Sequence, residues 1–298
     1  MTKNKLNKIP ELGLIVNTYL LAIIAFFIFR LLLFFTEMDR IDDTVSFVNI
    51  LKAFGMGIRF DIVITGYIMF FPSLFLLIQY IVNKRFELLH RIAFYWILVL
   101  FSIAFIISAA DIPYFNQFFS RFSIGAFEWI SNFDFVVKMI VEEPKYIIAV
   151  VPFAVVYYLF YRMLKVIFKK YNQSVSNQPK STIFFGFRIL ITLLLLVFIF
   201  IGVRGRVQKK SPIRIGTAYF CEDPFLNQLG LNPVFTFMRS YLDSLDPDNE
   251  SISLMDNEDA VKNVRKYYHI TNTEYASPIA RKIIPDSISA NKPNVIVV

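Results

Sequence analysis

The sequence contains a single cysteine, Cys221, and only two histidines, His90 and His269, in 298 residues. One cysteine excludes an intrachain disulfide, and the two histidines lie too far apart in the sequence to form a metal-binding motif. Serine, histidine and aspartate do not occur together as a catalytic set, and no glycine-rich loop follows a strand. We therefore assign no catalytic, cofactor-binding or metal-binding residue to this sequence.

Charged residues are also scarce, at 18% of the sequence against about 25% in soluble domains. Hydrophobic residues make up 56%, above the share of about 45–50% that is typical of a soluble domain. This composition indicates a membrane protein. The net charge of +8 does not indicate a nucleic-acid partner, because the lysines and arginines lie mainly beside apolar segments, where they orient a chain in a bilayer.

Five segments are long and apolar enough to cross the hydrocarbon core as helices, which takes about 20 residues. They are residues 14–35, 60–82, 92–110, 145–168 and 183–203. Pro72 and Pro152 lie inside two of these segments and are expected to kink them, which membrane helices tolerate. The predicted transmembrane domain of five helices covers residues 1–203.

The distribution of lysine and arginine predicts the orientation of these helices. The N-terminus, the loop 83–91 and the connection between the fourth and fifth segments are basic, whereas loops 36–58 and 111–144 are richer in acidic residues. We therefore expect a cytoplasmic N-terminus and an extracytoplasmic location for everything after about residue 204. The basic stretch "RGRVQKK", residues 204–210, would then lie outside, which is typical of a long domain that is translocated regardless of charge.

Residues 204–290 are predicted to form an extracytoplasmic linker with amphipathic helices. The first helix is expected in "NPVFTFMRSYL", which could lie flat on the membrane surface. Its apolar residues at helical spacing are Val234, Phe237, Met238 and Tyr241. A second helix is expected in "DNEDAVKNVRKYYHI", with Asp256 or Asn257 at its N-cap. Residues 291–298, which include "KPNVIVV", have the pattern of the first buried strand of a further domain.

The candidate lipid head-group contacts are ionisable residues near the outer ends of the predicted spans. Arg59 and Asp61, in "GMGIRFD", face different sides of a regular helix. They could pair only if the backbone is irregular, which Gly55 and Gly57 would allow. Two interpretations stay open for Arg59: a snorkelling arginine in an interfacial ion pair, or a contact to a lipid phosphate, whose geometry suits a guanidinium.

Three further arginines belong to this candidate set. Arg30 lies within the first span, and it either snorkels to the interface or faces the bundle, where its partner would be Asp61 or Asp111. Arg204 and Arg206 either bind anionic lipid of the outer leaflet or form a solvated rim.

The predicted architecture resembles the lipoteichoic acid synthase family, the membrane-bound branch of the sulfatase and alkaline-phosphatase superfamily. The similarity extends over essentially the whole chain, and its most specific part is the long linker segment. The segments that carry it are "GMGIRFD", "DIPYFNQFFSRF", "RGR", "PIRIGTAYFCEDPFLNQLGLNPVFTFMRSY" and "KPNVIVV".

The resemblance implies a transferase in a bacterial cytoplasmic membrane. Such an enzyme moves phosphoglycerol, phosphoethanolamine or a related head group from a lipid of the phosphatidylglycerol or phosphatidylethanolamine type to an extracytoplasmic acceptor. "NVIVV" is similar to the first core strand of the family's α/β catalytic domain, whose divalent metal (Mn, Mg or Zn) and threonine nucleophile would lie beyond residue 298. The expected fold is an all-α polytopic membrane protein followed by the start of a truncated α/β domain, and it would be inert alone.

The alternative is a non-enzymatic polytopic membrane protein that binds or moves lipid. Arg30, Arg59 and Asp61 would then line its pathway, because ionisable residues inside membrane spans are costly unless they have a function. An acidic residue soon after Val298, with a threonine further on, would favour the enzyme.

Overall fold

A computed structural model of the chain describes residues 9–42, 45–126, 138, 142, 144–177, 184–206, 208–209, 211–246, 254–271 and 276–281. Helix is the main regular structure, and the residues in these ranges form no β-strand. The predicted strand "KPNVIVV" lies outside the described residues. The chain divides into two compact units, Met1–Leu245 and Asp246–Val298, so residues 211–245 of the predicted linker belong to the same unit as the long helices.

Within the ranges that the structure describes, five helices are long and apolar enough to cross a membrane, as predicted. They are α1 (Pro10–Thr36), α2 (Phe47–Val82), α3 (Glu87–Phe118), α4 (Pro144–Asn177) and α5 (Phe185–Arg204). Several boundaries differ from the prediction, and α4, for example, continues to Asn177, past the predicted end at residue 168. α2 begins at Phe47 rather than near residue 60, so the second half of the predicted loop 36–58 is helical, and α3 continues past residue 110. Ala53 and Phe115, in the added turns of α2 and α3, are buried in one apolar cluster with linker residues, so these turns need not be as apolar as a lipid-facing span.

α1 lies among three of the other long helices and contacts α2, α3 and α4, whereas α5 packs against α2. Aromatic rings fill the space between α1, α3 and α4. The ring of Phe105 lies 5.4 Å from Phe26 and 4.9 Å from Phe160, in edge-to-face arrangements that aromatic pairs favour. Gly66 of α2 allows the close approach of α5, because a Cβ there would lie 2.8 Å from Val203 Cγ2. Close backbone packing of this kind drives helix association in lipid.

The proline inside α2 frees a backbone carbonyl that α3 satisfies. Pro72 has no N–H, so it cannot donate to the carbonyl of Ile68, four residues earlier. The indole Nε1 of Trp96 donates to this oxygen at 3.0 Å. An unpaired carbonyl is costly where water is absent, so this bond lets α2 continue through Pro72 in the middle of the bundle.

We expect Trp96→Phe to lower the free energy of unfolding by about 1–3 kcal/mol, because the Ile68 carbonyl loses its donor. Unfolding in detergent measures this, with Tyr95→Phe, which changes an exposed neighbour, as the control. Pro72→Ala supplies an N–H for the same carbonyl. The cost of Trp96→Phe should therefore shrink in the Pro72→Ala background, and an equal cost in both backgrounds would show that the bond does not compensate for the proline.

The ends of α1, α2 and α3 extend beyond α5 and form a structure that we call the cap. Its other part is residues 211–245, which contain the short helices α6 (Pro224–Leu229) and α7 (Pro233–Ser244). α5 has 20 residues, about 30 Å, which is just enough to cross the hydrocarbon core. A small core of its own holds the cap together, made of Leu33, Ala53, Phe115, Phe225, Leu226 and Leu229.

Side chains of the linker fix its local structure. The Asp223 side chain accepts a hydrogen bond from Leu226 N at 2.7 Å and caps α6. The amide of Asn227 accepts from the backbone nitrogens of Phe220 and Cys221, at 3.0 and 3.2 Å, and donates to the Cys221 carbonyl at 2.7 Å. One amide thus holds the chain that enters α6.

The helix predicted in "NPVFTFMRSYL" is present as α7, but its predicted apolar face is wrong in part. Tyr241 is exposed, whereas Phe235 and Thr236 are buried. The reason is that α7 packs against α2 and α3 through the face that carries Phe235 and Thr236. In the second unit, α8 (Asn257–Tyr267) begins as predicted, with the Asp256 side chain accepting from Asn257 N at 2.8 Å.

Candidate functional site

The centre of the cap is a buried ion pair between α1 and α2. Nη1 of Arg30 lies 2.6 Å from Oδ2 of Asp61, and Nη2 lies 2.9 Å from Oδ1. Arg30 is 3% exposed and Asp61 is fully buried. Of the alternatives for Arg30, the structure shows the arginine that faces the bundle, with Asp61 and not Asp111 as its partner. The bidentate geometry matches the fork of the guanidinium to the carboxylate.

The linker closes over this pair. Nε of Arg30 donates to the Leu229 carbonyl at 3.0 Å, and Nη2 donates to the Leu231 carbonyl at 3.3 Å. The amide of Asn232 donates to Asp61 Oδ1 at 2.8 Å, while its oxygen accepts from Val234 N at 2.9 Å and caps α7. Asn232 therefore joins the start of α7 to the carboxylate on α2. Residues 229–232 thus provide hydrogen-bond partners for the N–H groups of Arg30 and for the carboxylate of Asp61.

A second ion pair lies beside the first. Nη1 of Arg121 is 3.2 Å from Oδ2 of Asp111, whose Oδ1 accepts from Phe122 N at 2.7 Å. Nη2 of Arg121 donates to the Leu231 carbonyl at 3.1 Å, so Arg30 and Arg121 meet at one linker oxygen. Burial lowers the pKa of the Arg121 guanidinium, and the charge of Asp111 opposes that effect. An unpaired buried charge is costly, and here Arg30 pairs with Asp61 and Arg121 pairs with Asp111.

Gly57 provides the space that the first pair occupies. A Cβ on Gly57 would lie 2.1 Å from Nε and 2.2 Å from Cζ of Arg30, far inside contact distance. The guanidinium therefore lies directly over the α2 backbone at this residue. Gly55, two residues earlier in the same helix, has nothing within 4 Å of its Cβ position.

The remaining room at the charge cluster is small. A cavity of about 10 Å³ is lined by side chains that include both arginines, Asp111 and Asn232. This volume is close to the minimum for one water molecule. The cluster is therefore a tightly packed junction, whose cavity is about the size of one water molecule.

The other predicted contacts lie at the junction of α2 and α5. α2 is regular at Gly55 and Gly57, so Arg59 does not pair with Asp61, and its Nε donates instead to the Gly205 carbonyl at 2.7 Å. Arg206 donates to Thr217 Oγ1 at 2.8 Å, and Arg204 donates to the Gln208 carbonyl at 3.4 Å. The five predicted residues thus fall into two groups, one buried in the cap and one at its edge.

Sequence reasoning missed Arg121, Asn232 and the role of Gly57. Asn232 carried a usable signal, because an asparagine before Pro233 is typical of an N-cap followed by proline at the first helical position. No pattern indicated that its free amide would reach Asp61, 171 residues away.

Comparison of the chain with protein-family models, with curated proteins and with solved structures gives no match. The function is therefore argued from the residues and their arrangement.

Proposed function

We propose that the chain is the membrane module and linker of a lipoteichoic-acid-synthase-like transferase that moves phosphoglycerol or phosphoethanolamine. It would lie in a bacterial cytoplasmic membrane with the N-terminus in the cytoplasm and the cap outside. Support comes from the convergence of the segments that carry the resemblance. "GMGIRFD" contributes Asp61, "DIPYFNQFFSRF" contributes Asp111 and Arg121, and the long linker segment contributes Asn232, and all of them meet in one buried cluster.

The arrangement suits a positioning role. Two buried ion pairs and the cap core fix residues 224–236 on the ends of three helices. A catalytic domain attached through this segment would be held near the lipid head groups, and confinement of this kind raises the effective concentration of substrate at the reacting groups. The linker would then hold the catalytic domain in a fixed position and would not act as a flexible tether.

A divalent metal ion (Mn, Mg or Zn) would polarise the phosphoryl oxygens of the lipid in such a catalytic domain. Within the described ranges, no three His, Cys, Asp or Glu side chains come together to hold a metal. Asp61 and Asp111 are each committed to an arginine.

The alternative of a protein that binds or moves lipid has less support. Its pathway would run along Arg30, Arg59 and Asp61, but the bond between Arg30 and Asp61 lies beneath the linker. A lipid could reach this pair only if the linker left the cap. Arg59 is the member of the set that stays partly exposed.

The test is head-group transfer in cells that make the protein. Deletion of the gene should abolish transfer of labelled glycerol phosphate or ethanolamine phosphate from membrane lipid to the cell envelope. The chromosomal gene should restore transfer, and residues 1–298 alone should not. Unchanged transfer after deletion would contradict the proposal, and restoration by residues 1–298 would contradict the anchoring role.

A further inference from the structure

The edge of the cap holds two arginines, Arg59 and Arg206, which meet the chain at the end of α5 and form no ion pair within the described residues. Arg59 is fixed by its bond to the carbonyl of Gly205, the residue that ends α5 in a left-handed conformation with φ of 64°. Arg206 follows immediately and is fixed by Thr217. The positive charges of Arg59 and Arg206 act on each other. Over the part of the chain that the structure describes, neither has a carboxylate within ion-pair distance.

This pairing contrasts with the interior of the cap, where Arg30 and Arg121 each have an aspartate. Two like charges that are held close by other contacts repel each other, and an anion between them removes that cost. The guanidinium of Arg59 uses Nε for its tether, so the two terminal nitrogens remain to bind a ligand. Arginine presents such nitrogens in a planar fork that matches a phosphate.

The position of the arginines indicates where the anion comes from. α5 is just long enough to cross the hydrocarbon core, so its end at Gly205 marks the level of the head groups. Immediately below, Phe198 and Phe200 are 71% and 63% exposed, as expected of side chains that face lipid. The nearby Lys209 and Arg214 are also exposed and add positive potential to this edge.

We propose that Arg59 and Arg206 bind the phosphate of an anionic phospholipid in the leaflet where α5 ends. Arg59 would supply two parallel N–H donors and Arg206 the second charge. This proposal does not depend on the transferase function, because the site is formed by the junction of α2, α5 and the linker alone. It therefore goes beyond the proposed function and is measured without any transfer reaction.

The experiment is native mass spectrometry of the purified chain in detergent, with phosphatidylglycerol or phosphatidylcholine added. The wild-type chain should retain phosphatidylglycerol in preference to phosphatidylcholine. Arg59→Lys with Arg206→Gln should reduce retention by about tenfold or more, because a charge-assisted bond to phosphate contributes about 1.5–3 kcal/mol. Arg59→Lys alone should retain phosphatidylglycerol little better than the double variant does, since lysine lacks the planar fork of nitrogens.

The matched control is Arg239→Gln, which removes an arginine that already pairs with Asp243 on an exposed face of α7. It should retain phosphatidylglycerol as the wild-type chain does. Equal retention of both lipids, or retention by the Arg59/Arg206 double variant within about twofold of wild type, would overturn the proposal. So would displacement of the lipid by inorganic phosphate at millimolar concentration, which would identify a site for free phosphate. A thermal melt of each variant shows that the chain is still folded.

Discussion

Arg30→Met or Asp61→Leu is expected to lower the free energy of unfolding by about 3–5 kcal/mol, because each leaves the other charge buried without a partner. The pair is almost completely inaccessible, so water cannot compensate for the loss. Unfolding in mixed detergent micelles, followed by circular dichroism, measures the change.

The double variant Arg30→Met with Asp61→Leu should recover a large part of this loss, since no isolated charge remains. It should not recover all of it, because the Leu229 carbonyl loses its donor and the Leu231 carbonyl keeps only the one from Arg121. The control is the exposed pair of Arg239 and Asp243, where single changes should cost less than about 1 kcal/mol. Single changes at Arg30 and Asp61 that cost no more than this control would show that the pair is not buried as described.

The second expected result is a difference in sign between two glycine substitutions in the same helix. Gly57→Ala places a methyl group where the Arg30 guanidinium lies, so it should cost on the order of 2 kcal/mol or more through overpacking and disruption of the pair. Gly55→Ala meets nothing within 4 Å and should stabilise α2 by up to about 1 kcal/mol through helix propensity. The same unfolding experiment measures both.

Equal effects of the two substitutions would contradict the packing of Arg30 over Gly57. Limited proteolysis gives a second readout, because Gly57→Ala should also expose the linker near Leu229, whereas Gly55→Ala should not. Both variants exchange glycine for alanine in the same helix, and they differ in burial and in the contact with Arg30.

The five long helices were predictable because about 20 apolar residues in a row have few alternatives to crossing a membrane. The first turns of α2 were not, since Asn49, Lys52 and two glycines dilute their hydrophobicity. In the structure, Ala53 of these turns packs against Phe225, Leu226 and Leu229 of the linker, which comes more than 150 residues later. Sequence patterns report local periodicity, and they do not report partners that are distant along the chain.

The candidate site shows the same limit. Arg30 and Asp61 stood out because charges inside apolar spans are rare, and Asp61 was one of two partners considered for Arg30. The sequence did not decide between Asp61 and Asp111, since both lie at the outer ends of predicted spans. That choice depends on helix rotation and on the second arginine, Arg121, which takes Asp111 for itself.

Cysteine cross-linking of the linker to α2 tests directly whether residues 224–236 are seated on the helix ends. A Cβ on Gly230 would lie 3.4 Å from Cβ of Met56, close to the separation of about 3.5–4.5 Å found in disulfides. With Cys221→Ser as background, Met56→Cys and Gly230→Cys should form a disulfide in nearly all molecules under mild oxidation in native membranes. Gly55→Cys with Gly230→Cys, the control pair, should not. A failure of the first pair to cross-link, or equal cross-linking of both, would contradict the docked linker.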